Sequence, residues 1–146
     1  MLRSIVLALT AAARLLAIDA PLERDEGEYA YAGQLLLQGV PPYAAAYNMK
    51  FPGTYGAYAA ILAVFGSSIR GIHAGLIVVN AAAIVLLFAV ARRLFGSPVG
   101  LAAAATYALL STGHSVFGMA AHATHFVVVP ALLGAATYLL IMTRLR

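Results

Sequence analysis

Between Ile72 and Ala91 the chain runs for 20 residues without an aspartate, glutamate, lysine or arginine, and it then closes on Arg92-Arg93. About 20 apolar residues in a helix match the hydrocarbon thickness of a bilayer. The run therefore predicts a membrane-spanning helix, and with it the solvent in which the rest must fold. Composition agrees: 63% of residues are hydrophobic and 10% charged, with a mean hydropathy of +0.91, whereas soluble domains carry about 25% charged residues.

Other apolar stretches extend the pattern. Leu2 to Ile18 follows Arg3 and ends at Asp19 and Pro21. It is longer than the apolar part of a cleaved signal and leads into charged sequence instead of a small-residue cleavage site, so it predicts a transmembrane helix. Arg14, one to two turns from the outer end of that helix, reads as an interfacial anchor whose side chain snorkels to the headgroups. Val99–Leu110 and Phe126–Met142 predict two further spans, the last followed by Arg144 and Arg146. Thr54–Phe65 is apolar but short. If it does not cross, Arg3, Arg92-Arg93 and Arg144/Arg146 all fall on the inner side, as the positive-inside tendency asks, and that arrangement is preferred. The expected fold is all-α: a polytopic transmembrane helix bundle forming one domain over 1–146, multi-pass in the cell's inner (plasma) membrane. A chain that stops so soon after an apolar run reads as the N-terminal part of a longer protein.

The net charge of +4 does not point to nucleic acid, because the arginines stand singly or in pairs at the ends of apolar runs and form no basic face. With no cysteine, disulfides, thiolate nucleophiles and zinc-thiolate sites are excluded together.

Four of the five acids lie at Glu23, Asp25, Glu26 and Glu28, inside an extracytoplasmic loop spanning 19–53. Carboxylates at a helix start complement the positive end of its dipole. Beyond them Tyr29, Ala32, Leu36 and Leu37 share a face at helical spacing, and Gly39 with Pro41-Pro42 ends the helix. This predicts a short juxtamembrane amphipathic helix lying along the membrane surface. Asp25-Glu26 sits at a low-dielectric boundary, where a carboxylate can act as general base or bind a cation, or simply favour the helix terminus. Lys50, the only lysine, can meet a phosphate as a point charge or anchor among headgroups. Tyr29 can line a site or sit in the aromatic belt. His122 and His125, at i,i+3, share one face if their segment is helical, fit for substrate contact or helix packing. Their spacing alone makes no metal site. His73 and His114 sit at segment ends and support no sharper reading, and Asn80 reads as an interhelical hydrogen-bonding residue.

Arg24-Asp25-Glu26-Gly27-Glu28-Tyr29, the stretch to Gly39, Lys50-Phe51-Pro52-Gly53-Thr54-Tyr55 and Ala91-Arg92-Arg93-Leu94-Phe95-Gly96 together resemble the N-terminal module of polyprenyl-phosphate-sugar-dependent membrane glycosyltransferases. These are the protein mannosyltransferase and lipid A aminoarabinose transferase relatives of the GT-C superfamily. The resemblance implies inverting transfer of a sugar from a lipid-phosphate carrier to a glycan, lipid or protein acceptor on the outer face. It implies catalysis by Asp25, with Glu26 as second candidate, and binding of the carrier phosphate by Lys50; Tyr29, His122 and His125 are substrate-binding candidates from their positions alone. The family's Lys-Pro element is interrupted here by Phe51, and His122 and His125 stand where a further acidic residue often occurs. No cofactor is demanded, with a divalent metal left open. The rival readings are a non-catalytic membrane subunit or lipid-binding module with the same fold and, more remotely, a transporter.

Overall fold

A computed structural model describes residues 2–113, 115 and 118–144. Among the described residues there are six α-helices and no strand: α1 (Leu2–Leu16), α2 (Arg24–Leu37), α3 (Pro52–Phe65), α4 (Ile69–Phe95), α5 (Ser97–Leu110) and α6 (Ala123–Arg144). Two of them, α4 and α6, are long and apolar enough to cross a membrane. His114 falls outside the described residues.

The boundaries follow local chemistry. Glu23 caps α2: its side chain accepts from the Asp25 N–H, and the Glu26 carboxylate reaches back to the Glu23 N–H at 2.8 Å, a reciprocal capping box. Pro52 and Pro98 open α3 and α5, where a missing N–H costs nothing. Gly66 and Gly96 end α3 and α4 with φ of 86° and 90°, a backbone that residues with a Cβ avoid.

Helix α4 is the axis of the structure. Helix α5 doubles back along it, from Gly100 beside Arg92 to Ser111 beside Asn80. Helix α1 lies alongside both, with Val6 and Leu7 against a small core of Ile84, Ala104 and Ala108. Helix α6 runs parallel to α4: Phe126 packs near its start, through Tyr58, and Arg93 donates to Thr143 near its end. Arg92, Arg93 and Arg144 thus gather at one end of the structure. The acids gather at the other.

Helices α2 and α3 form a cap at the acidic end. Gly33 makes their contact close, since a Cβ there would stand 2.9 Å from the Ala59 backbone nitrogen. The main core lies beneath: Tyr29, Tyr55, Tyr58, Leu62, Ile72 and Leu76 with Ala121. Both ends of α3 return to this region. Its start is held by Tyr55, whose hydroxyl donates to the Asn48 carbonyl at 3.3 Å, while the Asn48 amide donates to Glu28 at 2.5 Å. Its end leads into Arg70, which forms a two-point ion pair with Asp19 at 2.5 and 2.8 Å.

Two local expectations are corrected. Of the expected face of α2, Tyr29, Ala32 and Leu36 do pack on the core, but Leu37 is exposed and the fully covered residues are Glu26, Tyr29, Ala30 and Gly33. Close helix approach through a glycine and charge pairing of Glu26 turn the packed face away from Leu37. Arg14 does not snorkel outwards: it is 4% exposed and donates to the Ser111 carbonyl at 2.7 Å. Its acceptor is the C-cap of α5, 97 residues away in sequence, which spacing within α1 gave no means to see.

Candidate functional site

The acidic start of α2 divides its two adjacent carboxylates between different tasks. Successive residues on a helix point about 100° apart. Glu26 turns into the protein and is 1% exposed. Its Oε1 accepts from the Ala121 N–H at 2.5 Å and lies 3.4 Å from His73 Nε2, while Oε2 closes the capping box. Burial opposes its charge, but the hydrogen bonds from His73, Ala121 and Glu23 outweigh burial and hold the acid below its ordinary range. Every lone-pair direction that matters is taken by the protein itself.

His73 completes that arrangement. It is 5% exposed, its Nδ1 is 2.9 Å from the Ile18 carbonyl, and its Nε2 faces Glu26. A carbonyl and an ionised carboxylate only accept hydrogen bonds. Both ring nitrogens must therefore donate, so this geometry holds an imidazolium paired with a carboxylate.

Asp25 points the other way, to the edge of the cap, with its side chain 19% exposed. Its Oδ2 accepts from the Tyr29 hydroxyl at 3.2 Å and lies 3.5 Å from His122 Nε2, and Oδ1 pairs with Arg24 at 3.2 Å. Burial again opposes the charge, and the hydrogen bonds of Arg24 and Tyr29, with the nearby charges of Arg24 and His122, bring the net shift below the usual value. Tyr29 is fully buried. Burial first, then the neighbouring Asp25 charge, push its phenol well above the ordinary range, so it remains a donor to Asp25. Its ring stands edge-on to Tyr58 and His122.

The other anticipated residues are placed as follows. His122 precedes α6 and faces Asp25, whereas His125 lies in the first turn and lines a cavity of about 210 Å³ with Tyr107, Ser111 and Val128. The shared face expected of the two histidines is not formed, because the helix begins only at Ala123. Lys50 lies in the loop before α3. Its N–H donates to Asn48 Oδ1 at 3.2 Å and its carbonyl accepts from Tyr43 at 2.7 Å, while its ammonium makes no ion pair with Asp25 or Glu26. The Asn48–Glu28 bond ties that loop to the helix bearing Asp25. A neighbouring cavity of about 230 Å³ is lined by Glu28, Tyr31, Tyr47, Asn48 and Tyr55, a mixture of hydroxyls, an amide and aromatic faces.

Among the described residues no three of His, Asp and Glu converge as a metal-ligating group. Asp25 and His122 offer two donors and Glu26 is already committed, so these residues do not fit a divalent metal and no chemical step is assigned to one.

His73 is the partner that sequence reading missed. Its single signal was a histidine in the second turn of α4, and only the fold brings it to Glu26.

Fold and site together define an all-helical protein with two helices apolar enough for a membrane and a carboxylate cluster at one end. Comparison with known protein families, curated proteins and solved structures finds no match.

Proposed function

We propose that the chain is the N-terminal membrane module of a glycosyltransferase that moves a sugar from a polyprenyl-phosphate carrier to an acceptor at the extracytoplasmic face of the inner membrane. The observation that carries this reading is the split between the two carboxylates: Glu26 is consumed in holding the cap, and Asp25 faces outwards with Tyr29 and His122 on one oxygen. Charge separation supports the orientation, with Arg92, Arg93 and Arg144 at the opposite end from the acids. The tethering of both ends of α3 near Glu28 and Asp19 supports a bundle in which α1, α4, α5 and α6 cross and α3 does not.

In this mechanism Asp25 Oδ2 takes the proton of the acceptor hydroxyl as the acceptor oxygen bonds to the anomeric carbon. The bond from that carbon to the carrier's phosphate oxygen breaks, and its electron pair leaves with the phosphate. Tyr29 fixes the rotamer of Asp25 through its 3.2 Å hydrogen bond. Lys50, on the loop tied to α2, meets the charge that develops on the phosphate. The cavity of tyrosines with Glu28 and Asn48 suits a sugar ring, offering hydroxyl contacts and aromatic faces.

The alternative, a non-catalytic membrane subunit or lipid-binding module, draws on the Arg24–Asp25 pair, which already occupies one oxygen of the proposed base. The test is transfer of labelled sugar from polyprenyl phosphate by membranes carrying the full reading frame, with Asp25→Asn as control. Loss of transfer in the variant supports the enzyme. Transfer indifferent to Asp25→Asn removes the base, and carrier binding without transfer favours the module.

A further inference from the structure

We infer that the buried guanidinium of Arg14 holds one halide-sized anion, between α1 and α4 beneath the end of α5. Arg14 is 4% exposed. Its Nη2 donates to the Ser111 carbonyl at 2.7 Å and approaches the Ser111 hydroxyl at 3.4 Å. Ser111 ends α5, so the guanidinium meets the negative end of a helix dipole, equivalent to about half an elementary charge. The other half stays unbalanced, since an arginine in a protein keeps its proton. Its Nε and Nη1 are also buried, with no acceptor on either.

No side-chain carboxylate among the described residues supplies the balance. Asp19 pairs with Arg70, Asp25 with Arg24 and His122, and Glu26 with His73, while Glu23 caps α2 and Glu28 accepts from Asn48. All five acids are engaged elsewhere. Beside the guanidinium lies a cavity of about 10 Å³ lined by Leu7, Thr10, Ala11, Arg14, Asn80 and apolar neighbours. That is the space of one water-sized particle, too small for a phosphate or another side chain. Thr10 spends its hydroxyl hydrogen on the Val6 carbonyl at 2.8 Å. Asn80 gives one amide hydrogen to Ser111 at 3.1 Å and turns the other towards the Tyr107 hydroxyl. The two unpartnered guanidinium nitrogens, Nε and Nη1, and a residual positive charge beside a particle of this size select a monovalent anion over water, and chloride is the abundant one.

The anion would bolt α1 to α4 at the end of the structure that carries the acidic cap. Its test is thermal unfolding of the purified chain in detergent, with chloride exchanged for gluconate at constant ionic strength. The midpoint is expected to rise by several degrees with the logarithm of chloride concentration, and crystals grown in bromide to give an anomalous peak within bonding distance of Arg14 Nε. Arg14→Met keeps the apolar stem and is expected to unfold at a midpoint indifferent to chloride. Should that variant fail to fold, the wild-type titration and the bromide peak decide between them. A wild-type midpoint unmoved by chloride, a chloride dependence that survives Arg14→Met, or water instead of bromide beside Arg14 overturns the site.

Discussion

Glu26 on α2 and His73 on α4 meet at 3.4 Å with both side chains almost fully buried, and between them they hold four stretches of chain. Glu26 receives the Ala121 N–H and the Glu23 N–H, and His73 reaches the Ile18 carbonyl. The end of α1, the start of α2, the second turn of α4 and the approach to α6 are thus joined through one ion pair. Asp25 is presented to the outside because its neighbour is fixed within. Removing one partner of such a pair leaves the other charge buried alone, a loss of about 3–5 kcal/mol. Glu26→Ala and His73→Ala are each expected to unfold far below the wild type. The double variant should be less destabilised than the sum of the two, as a double-mutant cycle by thermal or denaturant unfolding in detergent will measure.

The same pair gives stability a pH dependence of definite sign. The folded structure holds Glu26 below its ordinary value of 4.5, so folding favours the ionised acid. Its contribution is fully present above that ordinary value and is lost as pH falls below it towards the depressed folded value. Unfolding midpoints followed downwards from pH 6 are expected to drop through this window. In Glu26→Gln the acid-dependent part of the drop should be smaller.

Asp25 and Glu26, adjacent in sequence, should separate cleanly in experiment. Asp25 is at the rim and its replacement by Asn preserves shape, so the unfolding midpoint of Asp25→Asn is expected to stay close to the wild type. Sugar transfer should fall by about 10²–10⁴, the usual contribution of a positioned general base. Glu26→Gln should show the reverse pattern, with a lowered midpoint and transfer reduced only as far as folded protein is lost. Equal losses of transfer at equal stability in both variants would contradict the division of labour.

Sequence made the elements legible, because helix starts and stops are local. Pro52, Pro98, Gly66, Gly96 and the Glu23–Glu26 capping box each act within a few residues of where they stand. The partners of polar groups were not legible. Arg14 finds Ser111, Glu26 finds His73 and Ala121, and Tyr58 finds Ala121, over separations of 47 to 97 residues. Periodicity placed Tyr29, Ala32 and Leu36 of α2 against the core but missed Glu26 and Gly33, since it ranks faces by hydrophobicity. The face that packs is led by a glycine and a glutamate, chosen by closeness of approach and by charge. The Asp25 neighbourhood was half visible, Tyr29 lying one helical turn away and His122 arriving through the fold.

Gly33 supplies a packing test. A Cβ at that position would lie 2.9 Å from the Ala59 nitrogen and 3.0 Å from the Tyr58 Cβ, both rigidly placed in α3. Overpacking of this kind costs about 1–3 kcal/mol. Gly33→Ala is expected to lower the unfolding midpoint, and Gly33→Leu to lower it further.

The path of α3 decides which side of the membrane sees the cap, and a chain without cysteine is suited to reading it by single-cysteine labelling. Length does not decide it, since α3 and α5 both have 14 residues, about 21 Å of helix against the roughly 30 Å of hydrocarbon in a bilayer. The chain before α3 is tied to α2 through Asn48–Glu28, and the chain after it to the segment before α2 through Arg70–Asp19. Gln38→Cys, in the turn after α2, and Ser67→Cys, after α3, should therefore react alike with an impermeant maleimide added outside intact cells. Leu94→Cys, at the arginine end of α4, should react only after permeabilisation. If α3 crossed, Gln38 and Ser67 would label from opposite sides, and Leu94 would share the side of Gln38. Labelling of Gln38 and Ser67 together, with Leu94 protected, is the pattern that keeps Asp25, His122 and Lys50 on one face of the membrane.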